Sequence, residues 1–387
     1  SLTGVFFWLA ARRRSADGDL ATIALAIYLA CTGISVVFAE DWFFSLFRWG
    51  THALMVFVLY LFLREVVSLS QVVGITWAAK VGLGVAVPLL LFESGLLSTA
   101  DTSSLHRTSF INANTLGHFS AVAGLLFIHG AATSRSFILR NVQALAAIVS
   151  FMTIWHSGAR SSFVAASVGV LLLTRYCRGF FSGWVIVGLA VLFLAGIVAP
   201  SVSTEIESFV VKDKGKELAL TPANIVRTRT NVWQDSWNGF KARPMFGWGF
   251  GAHEGIEGNW RLSGSALGYT SRDLVNDTLF ILESTGLVGL VGFLVLVVSF
   301  LRHRPPRVSG IDSSPAIKAL YDYNVLYSVL LVSLLCLFQF DDTGLSAGNL
   351  PSALLWLSAG LAAAMRSELF RVCPVSSAAI TDSGKST

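Results

Sequence analysis

Of 387 residues, 54% are hydrophobic and only 13% charged, with a formal net charge of +5 and a mean hydropathy of +0.66. Soluble domains carry about 25% charged residues, so this chain takes lipid as its solvent, and a soluble enzyme or a nucleic-acid-binding protein is excluded. Apolar runs of about 17–25 residues recur, the length a helix needs to cross about 30 Å of hydrocarbon, and runs such as 180–199 and 287–301 are apolar on every face, which excludes the alternating strands of a barrel.

In chain order, residues 1–11 read as the end of an apolar run stopped by Arg12, Arg13 and Arg14, and a segment upstream of Ser1 is expected. Spans follow at about 20–39, 43–63, 71–92, 110–130, 137–155, 161–174, 180–199, 274–301, 323–340 and 350–365. The fold class is therefore all-α: a polytopic membrane protein of about ten transmembrane helices plus the initial fragment.

Loop charge sets the orientation, because Lys and Arg are retained on the cytoplasmic side. One alternating set of loops holds fifteen of them, including Arg135, Arg140, Arg175, Arg302 and Arg366, whereas the short loops of the other set hold only Arg107 and Arg160. Both ends of the chain are then cytoplasmic, and the long connection 200–273 lies outside. The expected units are helices over 1–199, the outer loop 200–273, helices over 274–365, and a tail 366–387 that is rich in Ser, Ala and Thr and reads as disordered. Cys31, Cys177, Cys336 and Cys373 fall in spans or on the cytoplasmic side without ligand spacing, so neither disulfide nor zinc is expected.

The outer loop holds nine basic and eight acidic residues; Lys212, Lys214 and Lys216 read as a solvated surface. Thr221 followed by Pro222 starts a helix, cap then first-turn proline, which runs to about Phe240. At 100° per residue, Val226, Val232, Trp233, Ser236, Trp237 and Phe240 share one face, opposite Asn231, Gln234 and Asn238. This helix is expected to lie flat on a membrane or protein surface. Arg229 belongs to the apolar stripe and Arg227 projects about 160° away, so Arg229 is the anomalous charge; its spacing fits a functional role and a side chain reaching for headgroups equally well. Next comes Arg243-Pro244-Met245-Phe246-Gly247-Trp248-Gly249-Phe250-Gly251-Ala252-His253, whose alternating glycines let backbone approach a ligand or another chain segment closely. Asn276 and Asp277 then open the eighth span.

Five motifs resemble those of the O-antigen ligase and polymerase family, which also holds exopolysaccharide polymerases. They are Asn112-Ala113-Asn114-Thr115-Leu116-Gly117, Ser157-x2-Arg160-Ser161, Arg229-x3-Trp233, Pro244-x2-Gly247-x-Gly249, and Asn276 through Gly286-x2-Gly289, together covering about 110–295. The resemblance implies a fold similar to C-type glycosyltransferases, with a large periplasmic loop, multi-pass insertion in the bacterial inner membrane, and a sugar donor on undecaprenyl diphosphate. Its implied partners are that lipid-linked glycan, membrane lipid and other polysaccharide assembly proteins. Ligases of the family usually carry His immediately before the Asn of the fifth motif, where this chain has Val275; the departure argues against a strict lipid A core ligase.

Within that reaction a departing diphosphate needs a permanent, forked cation, for which Arg160, Arg229 and, less directly, Arg272 are the candidates, with Asn276 and Trp233 as further substrate-binding positions. The acceptor hydroxyl needs a base, and Asp277 inside the eighth span, or Asp273 and His253 just outside it, can serve; Asp277 equally suits a helix N-terminus. Glu283 is expected to pair with Lys80. His52, His118, His129 and His156 read as buried structural histidines. No metal and no cofactor are expected, Asp341-Asp342 being the one carboxylate pair. Two other classes fit the composition: a small-anion transporter, drawing on the basic loop but lacking an inverted repeat, and a non-catalytic subunit of a polysaccharide assembly machine.

Overall fold

The computed structural model describes residues 16–93, 113–176, 222–251, 276–302, 314–340 and 350–372. Every regular element among them is helical: α1 (Ala16–Val37), α2 (Trp42–Val56), α3 (Leu69–Glu93), α4 (Ala113–Thr133), α5 (Phe137–Ser157), α6 (Arg160–Tyr176), α7 (Pro222–Ala242), α8 (Asp277–Arg302), α9 (Pro315–Leu337) and α10 (Leu350–Val372). Helix α2 continues through a π-helical turn, Phe57–Phe62, and a last α turn, Leu63–Val66. Among the described residues eight helices are long and apolar enough to cross a membrane, and α6, at 17 residues, sits at the short limit for a span. The expected span at 180–199, the fragment 1–11 and the tail beyond 372 lie outside the described residues. Hydropathy misplaced two edges. Helix α9 begins at Pro315 rather than near 323, and α10 runs on past 365, because their basic-end turns are polar helix, held for example by the Arg371–Glu368 pair at 2.8 Å.

Consecutive helices run up and down. One end of the bundle collects the α1–α2 corner, the α5–α6 corner and the start of α8, while Arg64, Arg175, Arg302, Arg366 and Arg371 gather at the other, the basic end. Close approach depends on small residues. A β-carbon at Gly292 of α8 would stand 2.9 Å from that of Cys31 on α1, one at Gly169 of α6 would lie 2.6 Å from both Leu125 and Ser333, and Gly360 of α10 presses on Tyr60 in the π turn. Polar links cross the interior as well: Asn324 donates to Ala362 O at 2.9 Å, and the Thr76 and Tyr327 hydroxyls share a bond of 2.6 Å. Lys80 does not reach Glu283. Its ammonium is buried among α3, α4 and α5, where it donates to Gln143 Oε1 at 3.0 Å, whereas Glu283 stands against Gly239 of α7.

Helix α8 is broken. Gly286 has φ 66° and ψ −163°, and the glycine-rich segment 243–251 enters the gap. Trp248 and Gly249 donate their N–H groups to the carbonyls of Glu283 (3.2 Å) and Ser284 (2.8 Å), and on the far side of the break Leu287 and Val288 donate to the carbonyls of Pro244 (2.9 Å) and Met245 (3.3 Å). The segment thus completes backbone groups that the break would strand. Two glycines meet backbone to backbone there: a β-carbon on Gly247 (φ 65°) would run into Ser284, and one on Gly286 into Met245 and, at 2.6 Å, Phe246 N. The outer side of the segment seats on the α1–α2 corner. Phe246 stacks on Phe38 with centroids 4.1 Å apart, Ser45 donates to Phe250 O at 3.2 Å, and Arg243 pairs with Glu40 while its guanidinium covers Trp248 at 4.0 Å. The alternating glycines therefore serve another chain segment.

Gly286→Ala should destabilise the protein by about 1–3 kcal/mol or more, since a left-handed backbone and a backbone clash coincide. Gly82→Ala is the control, because nothing lies within 4 Å of its added β-carbon. Thermal unfolding in detergent checks the pair, the first variant melting well below the second.

Candidate functional site

The site lies at the end opposite the basic one, around the start of α8. Asn276 caps that helix, its Oδ1 accepting from Leu279 N at 2.9 Å, and its amide donates to Gln339 O at 2.7 Å. Thr278 donates to Gln339 Oε1 at 2.7 Å and Asp277 N to Phe338 O at 2.9 Å. The first turn of α8 is thus fastened to the last turn of α9. Asn276 acts here as a cap and a tie between helices, which the Asn-Asp-Thr sequence could have signalled.

Asp277 is only 2% exposed. The hydroxyl of Tyr28 on α1 shares a hydrogen bond of 3.2 Å with His52 Nε2 of α2. Around His52 stand Phe250 of the glycine segment, with ring centroids 5.1 Å away, and Trp356 of α10 at 5.7 Å. The buried Tyr28–His52 pair, with Phe250 and Trp356 around it, therefore joins α1, α2, α10 and the glycine segment beneath the site. His52 is the buried structural histidine that its position implied. Sequence spacing carries no signal for its partners, which come from separate helices.

The two upstream motifs also meet. Gly158 ends α5 in the left-handed conformation with φ 66°, and Arg160 opens α6 half-buried. Gly117 of α4 packs so closely on this corner that a β-carbon there would run into Ala159 and stand 3.0 Å from Ser162 Oγ. Asn114–Gly117 and Ser157–Arg160 thus form one cluster, and α9, which packs on α4 and α6 and supplies Phe338 and Gln339 to the start of α8, connects it to the other.

Helix α7 packs on α8 along a narrow stripe. Ser236 is 3% exposed, Gly239 is buried with space for no side chain between it and Glu283 Oε1 (2.6 Å), and Trp233 is half-buried. Trp237, placed by its spacing on the apolar face, is 45% exposed: it lies about 100° from Ser236 and about 160° from Gly239, away from the contact with α8. In this register position 229 falls within about 20° of Ser236 and position 227 about 180° from it. The Trp233 indole N–H is buried and makes no hydrogen bond, which leaves a donor at this end.

The side chain of Arg229, and all of His253, Arg272 and Asp273, lie outside the described residues. So do Asp341 and Asp342; among the described residues no three His, Cys, Asp or Glu side chains cluster as metal ligands. Cys31 and Cys336 are free thiols, and Cys177 and Cys373 lie outside the described residues.

Residues 145–294 match the family model described as O-antigen ligase. No curated protein matches the chain. The matched stretch runs from α5 to just past the break in α8, and so contains the Arg160 corner, α7, the glycine segment and the Asn276 cap. The chain is thus similar to the O-antigen ligase family over residues 145–294, which is less than half of its 387 residues.

Proposed function

We propose that the protein joins sugar chains carried on undecaprenyl diphosphate, as a polymerase or ligase of O-antigen or exopolysaccharide assembly, at the periplasmic face of the bacterial inner membrane. The observation that carries this reading is the coincidence of the family match with one built end of the bundle, where α7, the glycine segment and the broken α8 interlock. The orientation rests on the Lys and Arg asymmetry, which puts that end outside.

In this reaction an acceptor hydroxyl oxygen attacks the anomeric carbon of the donor, the bond from that carbon to the diphosphate oxygen breaks, and the lipid diphosphate leaves with the bonding pair. Arg229, Arg160 and Arg272 neutralise the departing diphosphate, Trp233 and Asn276 help shape the sugar site, and the hydroxyl proton passes to Asp277, Asp273 or His253. Val275 stands where ligases of the family place a histidine, so the proton acceptor differs here. The transfer uses neither metal nor cofactor, because arginines supply the charge that a cation would otherwise provide.

Purified protein given radiolabelled undecaprenyl diphosphate oligosaccharide should extend or transfer the glycan; no transfer with any lipid-linked donor would remove the reading. Arg229→Lys keeps the charge and loses the fork, and should lower the rate about 10- to 100-fold, the worth of a charge-assisted contact of roughly 1.5–3 kcal/mol. Arg227→Ala, on the opposite side of α7, should stay near the wild-type rate. Equal rates in the two variants would take Arg229 out of the site. Adding EDTA should leave transfer unchanged, and restoration by magnesium after a loss would contradict metal independence. A cysteine placed at Lys214 should react with an impermeant maleimide from the periplasmic side, whereas reaction only after the inner face is opened would invert the topology.

A further inference from the structure

The basic end holds a cavity that the proposed reaction does not use. It has a volume of about 1090 Å³ and lies between α6, α8, α9 and α10, with α1 and the π turn behind it. Its mouth is marked by Leu171 and Leu301, which are 64% and 46% exposed, and its back by Tyr60 and Ala359, which are at most 2% exposed. The hollow therefore runs from the outside of the bundle into its core. Along that course Leu172, Phe300, Val329 and Val332 supply apolar wall, and Ser328 and the tyrosines Tyr60 and Tyr321 add polar groups.

Charge enters at one level only. Arg175, in the last turn of α6, and Arg366 of α10 are the two cations in the lining, and Tyr176 and Tyr321 join them. At 1.5 Å per residue Arg175 stands about 22 Å below the start of α6 and Arg366 about 24 Å below the start of α10, so two helices of opposite sequence origin bring their cations to one depth. Tyrosines at that depth match the interfacial belt of membrane proteins.

We propose that this cavity is a binding site for an anionic phospholipid, with the headgroup phosphate on Arg175 and Arg366 and the acyl chains along Leu172, Phe300, Val329 and Val332. The charge pattern selects this occupant. A free phosphate needs the arginines but gains nothing from an apolar hollow larger than the roughly 300–1,000 Å³ of a drug-sized site. A zwitterionic lipid brings a phosphate whose charge its own ammonium offsets, so two forked cations at one depth favour a headgroup of net negative charge. Basic pockets between spans on the cytoplasmic side are where anionic headgroups bind. Bound there, the lipid bridges helices from both halves of the chain.

The test is native mass spectrometry of the delipidated full-length protein, titrated with phosphatidylglycerol or phosphatidylcholine in the same detergent. One phosphatidylglycerol should bind in preference to phosphatidylcholine. Arg175→Gln with Arg366→Gln should weaken it about thirtyfold, equivalent to about 2 kcal/mol for the two arginines together. Arg135→Gln with Arg140→Gln removes the same charge from the same end outside the cavity and should leave binding unchanged. Ser328→Phe fills the lining without touching either arginine and should also abolish retention, which guards against a folding defect in the arginine pair. Equal loss in both arginine pairs would mean general surface charge and overturn the site. So would equal binding of the two lipids, full retention by Ser328→Phe, or displacement by millimolar glycerol phosphate.

Discussion

A helix cannot simply stop inside a membrane protein. Breaking it strands carbonyls on one side and N–H groups on the other, and each such group costs several kcal/mol if lipid is all it meets. Here the break at Gly286 is tolerated because the segment Pro244–Gly249 supplies two donors to the first half of α8 and two acceptors to the second. Both partners in that contact are glycines in left-handed conformations, Gly247 and Gly286, since no β-carbon fits between the two backbones. A loop outside the spans thereby becomes part of the bundle.

That exchange of hydrogen bonds fixes the position of everything at this end. The short stretch Asp277–Thr285 is held at its start by Phe338 and Gln339 of α9 and at its finish by the glycine segment. The segment is held in turn by the α1–α2 corner through Phe38, Glu40 and Ser45. Helix α7 leads directly into it, so the register of α7 on α8, set at Gly239 and Ser236, follows from the same contact. The Trp233 indole N–H is thereby held at the assembled end. Rigid presentation of a few polar groups is what the proposed transfer requires of its catalyst.

Much of this was legible in the sequence, and the failures have physical causes. Uniform apolar runs gave the spans, since lipid penalises polar side chains at every face, and Thr221 with Pro222 marked the start of α7 as caps do. The glycine alternation announced a close approach without naming the partner. The break in α8 was hidden because Gly286, Leu287 and Val288 sit in a continuous apolar run, and hydropathy reads composition rather than hydrogen bonding. Glu283 and Lys80 looked like partners only because each was a lone charge at depth; Gln143 satisfies Lys80 instead. The Tyr28–His52 pair was invisible, two residues from two helices with no common period.

The central claim is that the glycine segment and the break in α8 form one hydrogen-bonded unit, and hydrogen–deuterium exchange of the protein in lipid nanodiscs tests it most directly. The amides of Trp248, Gly249, Leu287 and Val288 should exchange as slowly as those in the interior of α8 around Gly292, because opening any of them means undocking the segment. Exchange of Trp248 and Gly249 at the rate of an exposed loop, with the α8 interior still protected, would contradict the account.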